Sequence, residues 1–334
     1  MYMNNIDSIK LICHSDLIKP NYLNFDKTIK EIEDVELTSF NLKANKKKTG
    51  IKNIILNDNN CIIDLSSKLC PQLYSEMFNK NTIERYLSEL KGTGLIDFDI
   101  NSLIENSNVL SCDITDNIKV KEDAKSYINS LAIFKLNNKY KCNLNINESI
   151  IFERDVKTNS LKERLTVYFK YTELLLKRNT TFRNKIDIED YKTIVRFESR
   201  FSNLELMRKS FNTADVKLLS ILNSDVRINY NLLNKITDIS SINIESFNNF
   251  NTLIEMKNKY KYSKLRNIQG DISILNSCNN DIDLIKLFFK TNSTANNSKY
   301  IRHMKQLSKT MKEIESKNTI TEKVNEMKQF LLVA

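Results

Sequence analysis

Four stretches of this sequence alternate apolar and polar residues with a period of two, and that alternation limits the fold more than any other feature of the chain. In 193–201, Val195, Phe197, Ser199 and Phe201 fall on one side and Ile194, Arg196, Glu198 and Arg200 on the other. In 109–115, Leu110, Cys112 and Ile114 oppose Ser111, Asp113 and Thr115. In 60–65, Cys61, Ile63 and Leu65 oppose Ile62 and Asp64. In 164–171, Leu165, Val167, Phe169 and Tyr171 oppose Arg164, Thr166, Tyr168 and Lys170. Successive side chains of a strand point to opposite faces, so each stretch reads as a strand with one buried and one polar face. Antiparallel sheets carry strands of this kind, with helices closing the apolar side.

Further strands are predicted at 6–13, 51–56, 134–145 and 148–153, and helices at 122–131 and 172–178. A longer helix is predicted over 71–91, because Pro71 suits its first turn and Gly92-Thr93-Gly94 its end. The lysine-rich run 43–49 reads as an exposed loop. Beyond Asn212 leucine and isoleucine recur at helical spacing, in 214–222, 231–236, 254–258 and 281–289, with longer helices at 299–315 and 321–332. No fixed-period repeat is evident. The expected fold is therefore α+β: a mainly antiparallel sheet with helices on one face over 1–212, then a mainly helical C-terminal domain over 213–334.

Composition narrows the chemistry. With 41% hydrophobic and 9% aromatic residues in 334, the chain can bury a core. Four glycines and two prolines exclude collagen-like and Gly- or Pro-linker architectures. No apolar run approaches the ~18 residues of a membrane span, and the polar start has no signal-peptide core. The six cysteines lie far apart and form no CxxC pair, which removes zinc-ribbon and thioredoxin readings. These features predict a cytoplasmic protein with no membrane partner. His14 and His303 are the only histidines, so a histidine-cluster mechanism is excluded. The net charge of +10 suits a polyanionic partner such as DNA or RNA.

If the four strands share one sheet, its second face displays Asp64, Asp113, Glu198, Tyr168, Lys170 and several arginines. Three carboxylates on a basic surface suit a hard divalent cation, Mg²⁺ or Mn²⁺. A phosphate held beside a tyrosine permits phosphodiester cleavage through a covalent phosphotyrosine, with Lys170 favouring the phenolate. The same pattern also describes an ordinary water-facing sheet, whose acids and tyrosine have no chemical task.

Three segments in order carry a resemblance. They are Val109-Leu110-Ser111-Cys112-Asp113-Ile114-Thr115, the run from Leu165 through Val167-Tyr168-Phe169-Lys170 to Glu173-Leu174, and Ile194-Val195-Arg196-Phe197-Glu198-Ser199-Arg200-Phe201. With the opening Asn5-Ile6-Asp7-Ser8-Ile9-Lys10-Leu11, the stretch from Ile6 to Asn212 resembles the filamentous-phage gene II/X replication initiators, relatives of the HUH-type rolling-circle nucleases. The resemblance implies an HUH/Rep-like domain that nicks and rejoins DNA. It implies Tyr168 as nucleophile assisted by Lys170, and Asp113, Glu198 and, less closely matched, Asp64 as ligands of Mg²⁺ or Mn²⁺. Arg164, Arg196 and Arg200 would contact the DNA. Many HUH enzymes bind metal through paired histidines, which this chain lacks; the gene II branch is similar to a carboxylate-rich version. Tyr171, three residues after Tyr168, is expected on the core side of the same strand.

The implied activity is that of a site-specific single-strand endonuclease and ligase which starts rolling-circle replication of a phage or plasmid. Its partners would be single-stranded or supercoiled circular origin DNA and the host polymerase and helicase, in the bacterial cytoplasm. Two other readings stand beside it: a plasmid-mobilisation relaxase using the same chemistry, and a non-catalytic protein that binds the origin. In the tail, Lys299, Arg302, Lys305, Lys309 and Lys312 would share a helix face, available to phosphates or simply solvated.

Overall fold

Alternation in the sequence becomes one ten-stranded sheet. The computed structural model describes residues 3–32, 35–133, 139–145, 148–156, 161–237 and 320–333, with positions 270, 273 and 305. The strands are β1 (Ile6–His14), β2 (Ile18–Pro20), β3 (Phe25–Ile32), β4 (Val35–Leu42), β5 (Ile51–Asn57) and β6 (Asn60–Ser66), then β7 (Ile96–Phe98), β8 (Asn108–Lys119), β9 (Lys141–Asn145), β10 (Ser149–Val156), β11 (Leu161–Phe169) and β12 (Ile194–Phe201). They run β3-β4-β5-β6-β1-β8-β12-β11-β10-β9, every neighbour antiparallel, while β2 and β7 form a separate pair.

This order contains a repeat that the amino acids do not display. The strand β1 is followed by the meander β3 to β6, whose last strand returns to pair with β1; β8 is followed by the meander β9 to β12, whose last strand returns to pair with β8. The halves join where β1 meets β8, with Ile9 opposite Cys112. No fixed spacing of residues marks the repeat, because backbone pairing sets the topology and alternation alone satisfies it.

The helices are α1 (Ile83–Gly92), α2 (Ile100–Asn106), α3 (Ala124–Ile133), α4 (Lys170–Leu175), α5 (Thr180–Arg183), α6 (Leu204–Phe211), α7 (Leu218–Asn223), α8 (Ile228–Ile236) and α9 (Ile320–Val333). On the apolar face Ile9, Leu11, Ile63, Leu65, Ile114, Val167 and Phe197 are fully buried. Helix α8 packs on β8, β11 and β12, and α3 on β10, β11 and β12. The second face is not left wholly open: Tyr74, Leu174, Phe182 and Tyr191 form a buried cluster with α4 and α5, and Tyr74 lies against Arg196 of that face. Helices confined to one face are thus too simple a description.

Several boundaries move. The helix expected over 71–91 begins only at Ile83. Pro71 instead opens a 3-10 turn, Met77 takes a positive φ of 57°, and Phe78 pairs with Ile6 before Thr82 starts the helix. The strand expected to reach Tyr171 stops at Phe169, so Tyr171 sits on α4 and packs against the Tyr74 cluster. The chain divides into a unit of Met1–Asp238 with Glu326–Ala334 and a second unit of Ile239–Asn325. The boundary read at Asn212 falls inside the first unit, because α7 and α8 pack on the sheet. Of the expected C-terminal helices, 321–332 is found as α9, whereas 254–258 and 281–289 lie outside the described residues, as does 299–315 except Lys305, which is helical and exposed. Among the described residues no helix is long and apolar enough to cross a membrane.

Candidate functional site

Cross-strand partners share a face, so the register assembles the second face row by row. Tyr168 stands opposite Arg196, and Arg196 opposite Asn117. One step along, Thr166 meets Glu198, and Glu198 meets Thr115. Next, Arg200 meets Asp113, Asp113 meets Ser8, and Ser8 meets Ser66. A last row runs Ser111, Lys10, Asp64. The strand β1 is bulged between Ile6 and Ser8, and the extra residue, Asp7, turns its side chain to this same face. A bulge commonly re-aims a side chain beside a functional site. A second irregularity, between Lys10 and Leu11, puts Val109 rather than Leu110 in the core row.

Tyr168 donates its hydroxyl hydrogen bond to Glu198 Oε2 at 2.9 Å. Burial pushes the phenol well above its ordinary range; Arg196 works against that shift and Glu198 with it. Asp113 lies close enough to Glu198 to feel its charge. Burial first and Glu198 second push the Asp113 carboxyl up to about 7, and Arg200, 3.7 Å away, only partly offsets them. Two carboxylates crowded in this way favour a proton or a cation between them.

Beneath the phenol lies a buried charge network. Arg196 is 0% exposed, with Nη1 3.2 Å from Asp7 Oδ1, Nε donating to Asn117 Oδ1 at 2.8 Å, and its guanidinium over the Tyr74 ring. Asp7 also accepts from Ser67 Oγ. Burial opposes its ionisation, but Arg196, Lys170 and Ser67 outweigh that and hold its carboxyl far below the usual range. Lys170, 1% exposed, donates to Glu173 Oε2 at 2.7 Å and lies 5.6 Å from the Tyr168 ring centroid. Burial and then Arg196 push its ammonium down to about 8. Glu173 also accepts from Asn179 at 2.9 Å and pairs with Lys68 at 3.6 Å. Lys170 and Lys68 overcome burial and draw its carboxyl down to about 2.

The structure therefore brings together Tyr168, Lys170, Glu198 and Asp113, and adds Asp7, Glu173 and Lys68, which the sequence reading did not place in the site. Asp7 had a signal: two polar residues in succession, Asp7-Ser8, interrupt an apolar alternation, as a bulge requires. Arg196 is a correction. Enclosed by Asp7, Asn117 and Tyr74, it cannot reach a surface phosphate, and its charge acts on Tyr168 from below. Arg200 is exposed, and Arg164 is part-exposed beside Glu153, so both remain at the solvent side of the face. Asp64 is not brought to the other acids; it stands opposite Lys10 on β6, two strands from Asp113, or about 10 Å.

Among the described residues no three His, Cys, Asp or Glu side chains gather around one point. The three-carboxylate set does not form; of its members, Asp113 and Glu198 are near enough for their charges to interact, and carboxylate oxygens are the donor type a hard divalent cation takes. Mg²⁺ commonly takes one or two carboxylates and fills its shell with water and substrate phosphate. An open cavity of about 490 Å³ lies over Tyr168, with Glu198, Lys170, Lys68 and Arg178 in its wall. No family model matches this chain, and no curated protein matches it.

Proposed function

We propose that this protein is a site-specific single-strand DNA endonuclease and ligase which initiates rolling-circle replication, with Tyr168 as its nucleophile. The observation that carries the reading is the hydrogen bond from Tyr168 to Glu198 in the wall of a cavity on the face away from the core, with Asp113 close enough to Glu198 to feel its charge. A phenol with a raised pKa needs a base, and Glu198 Oε2 already holds its proton at hydrogen-bond distance. As the Tyr168 oxygen bonds to the scissile phosphorus, the phenolic proton passes to Glu198. The bond from phosphorus to the 3′ oxygen breaks, and that oxygen takes a proton from water at the open mouth. The products are a 5′-phosphotyrosine and a free 3′-OH; the reverse attack by a 3′-OH reseals the strand.

Lys170 and Arg196 supply positive charge below the ring and favour the phenolate as it develops. Asp113 and the second oxygen of Glu198 would hold Mg²⁺ or Mn²⁺, whose contribution when bound is to polarise the phosphate. Arg200 and Arg164 would steer the strand from the solvent side. The substrate would be single-stranded or supercoiled circular origin DNA, handed on to a host polymerase and helicase.

The test is incubation with supercoiled DNA from the protein's own replicon and Mg²⁺ or Mn²⁺, followed by mapping of any protein–DNA adduct. The adduct is expected on Tyr168, and Tyr168→Phe should lower nicking by at least 10³-fold, on the order of a lost covalent nucleophile. Nicking that survives in Tyr168→Phe would overturn the assignment.

A further inference from the structure

On the apolar face of the sheet, directly behind Glu198, lies a polar cluster that the cleavage scheme does not use. Asn229 of α8 is 0% exposed. Its Nδ2 donates to Asp116 Oδ2 at 2.8 Å and lies 3.4 Å from the carbonyl oxygens of Ile114 and Phe197. Its Oδ1 accepts from Ser199 Oγ. Ile114 and Asp116 flank Thr115, Phe197 and Ser199 flank Glu198, and Thr115 and Glu198 are cross-strand partners. One amide thus touches both strands on either side of the pair that presents Glu198 to the opposite face.

An all-apolar contact would satisfy this interior with less desolvation. What apolar packing fixes poorly is register. A slip of one residue would turn β12 inside out and is strongly opposed. A slip of two keeps every face, setting Phe197 against Ile114 or Ile118 of β8 in place of Asp116. It would nevertheless move Glu198 opposite Asp113 or Asn117 and break its alignment with Tyr168 and Asp113. Hydrogen bonds with fixed partners oppose that slip, because a shifted strand leaves buried polar groups unmade.

We propose that Asn229 is a positioning residue: it pins β8 against β12 so that Glu198 stands opposite Thr115, in reach of Tyr168. Its catalytic consequence rests on the cleavage reading above, whereas the pinning does not, so the experiment has two arms. In the first, Thr115→Cys and Glu198→Cys are introduced together in the full chain and oxidised with copper phenanthroline, and the cross-link is mapped by mass spectrometry. Partner Cα atoms lie about 4.5–5.5 Å apart, inside disulfide range, and a two-residue slip takes them to about 8 Å, outside it. Adding Asn229→Leu, Asp116→Leu and Ser199→Ala should lower the yield at least threefold and give cross-links in the Asp113→Cys or Asn117→Cys pairing instead. Should that combination not fold, Ser199→Ala alone should still lower the yield measurably.

In the second arm the same core changes, with Glu198 intact, should reduce kcat for nicking about tenfold or more while KM for DNA stays within twofold. An unchanged 115–198 cross-link in a folded core variant overturns the proposal, whatever happens to nicking. If the Thr115→Cys, Glu198→Cys protein cross-links as expected but the chain with Glu198 intact never nicks, the cleavage reading is overturned and the pinning stands.

Discussion

Asp113 places a pH dependence on the site. Its folded carboxyl titrates near 7 against an ordinary 3.8, so between those values the folded protein holds a proton that the unfolded chain has released. Stability therefore falls as pH rises through that window, by on the order of 2 to 4 kcal/mol. Asp113→Asn should abolish that slope in urea melts run from pH 4 to pH 8. At pH 8, Mn²⁺ should raise the midpoint of the parent but not of the variant; equal shifts would remove Asp113 from the cation site. Asp7 behaves oppositely, because its partner Arg196 is buried with it. Asp7→Ala leaves that guanidinium uncompensated and should cost about 3–5 kcal/mol, much of it recovered by adding Arg196→Met. A loss below 1 kcal/mol would mean that water reaches Arg196. Sequence parity sorted Tyr168, Glu198 and Asp113 onto one face because a strand obeys a period of two. It gave Arg196 the same exposure as Arg200, because nothing local to 193–201 records that Tyr74, more than a hundred residues earlier, covers one arginine and leaves the other open.

Among the elements, the passage from β11 to α4 shows where periodicity misleads. Leu165, Val167, Phe169 and Tyr171 keep perfect alternation, yet the strand ends at Phe169. Lys170 is the first helical residue, and Glu173, three positions on, pairs with it at 2.7 Å. A helix puts those two side chains together where a strand would point them apart. The junction matters chemically, since the last strand positions carry the phenol and the first helical position its neighbouring ammonium. A second junction follows β6, where Ser67, Lys68 and Leu69 form a 3-10 turn that delivers Ser67 to Asp7 and Lys68 to Glu173. Gly50 packs against the backbone of that turn at φ 88°, and a Cβ there would collide with Leu69. Gly50→Ala should therefore cost more than about 2 kcal/mol in denaturant melts. Gly94→Ala, at φ 70° with open space around it, should cost only about 1 kcal/mol. Similar losses at the two positions would show that the turn yields.

For the whole molecule, the first unit is completed by the far end of the chain. Met327 and Leu331 of α9 are buried, Tyr127 donates to Glu326 at 2.9 Å, and Lys328 reaches the carbonyl of Thr237 at 3.3 Å. A chain ending at Asp238 should lose about 3–6 kcal/mol, because the burial of Met327 and Leu331 is lost and the surface they cover is exposed. Urea unfolding of the truncated and full chains measures that difference, and equal stabilities would show that α9 contributes nothing to the unit. The amphipathic spacing of 321–332 made this helix legible, but not its destination, which depends on a surface built some two hundred residues upstream. The same dependence on distant chain governs the seam between the halves. β1 bonds to β8, roughly a hundred residues later, so on a ribosome adding ~5–20 residues per second the earlier half waits about 5–20 s with one ladder unfilled. During that interval β1 presents a row of unpaired N–H and C=O groups along one edge, a template on which another nascent chain could pair.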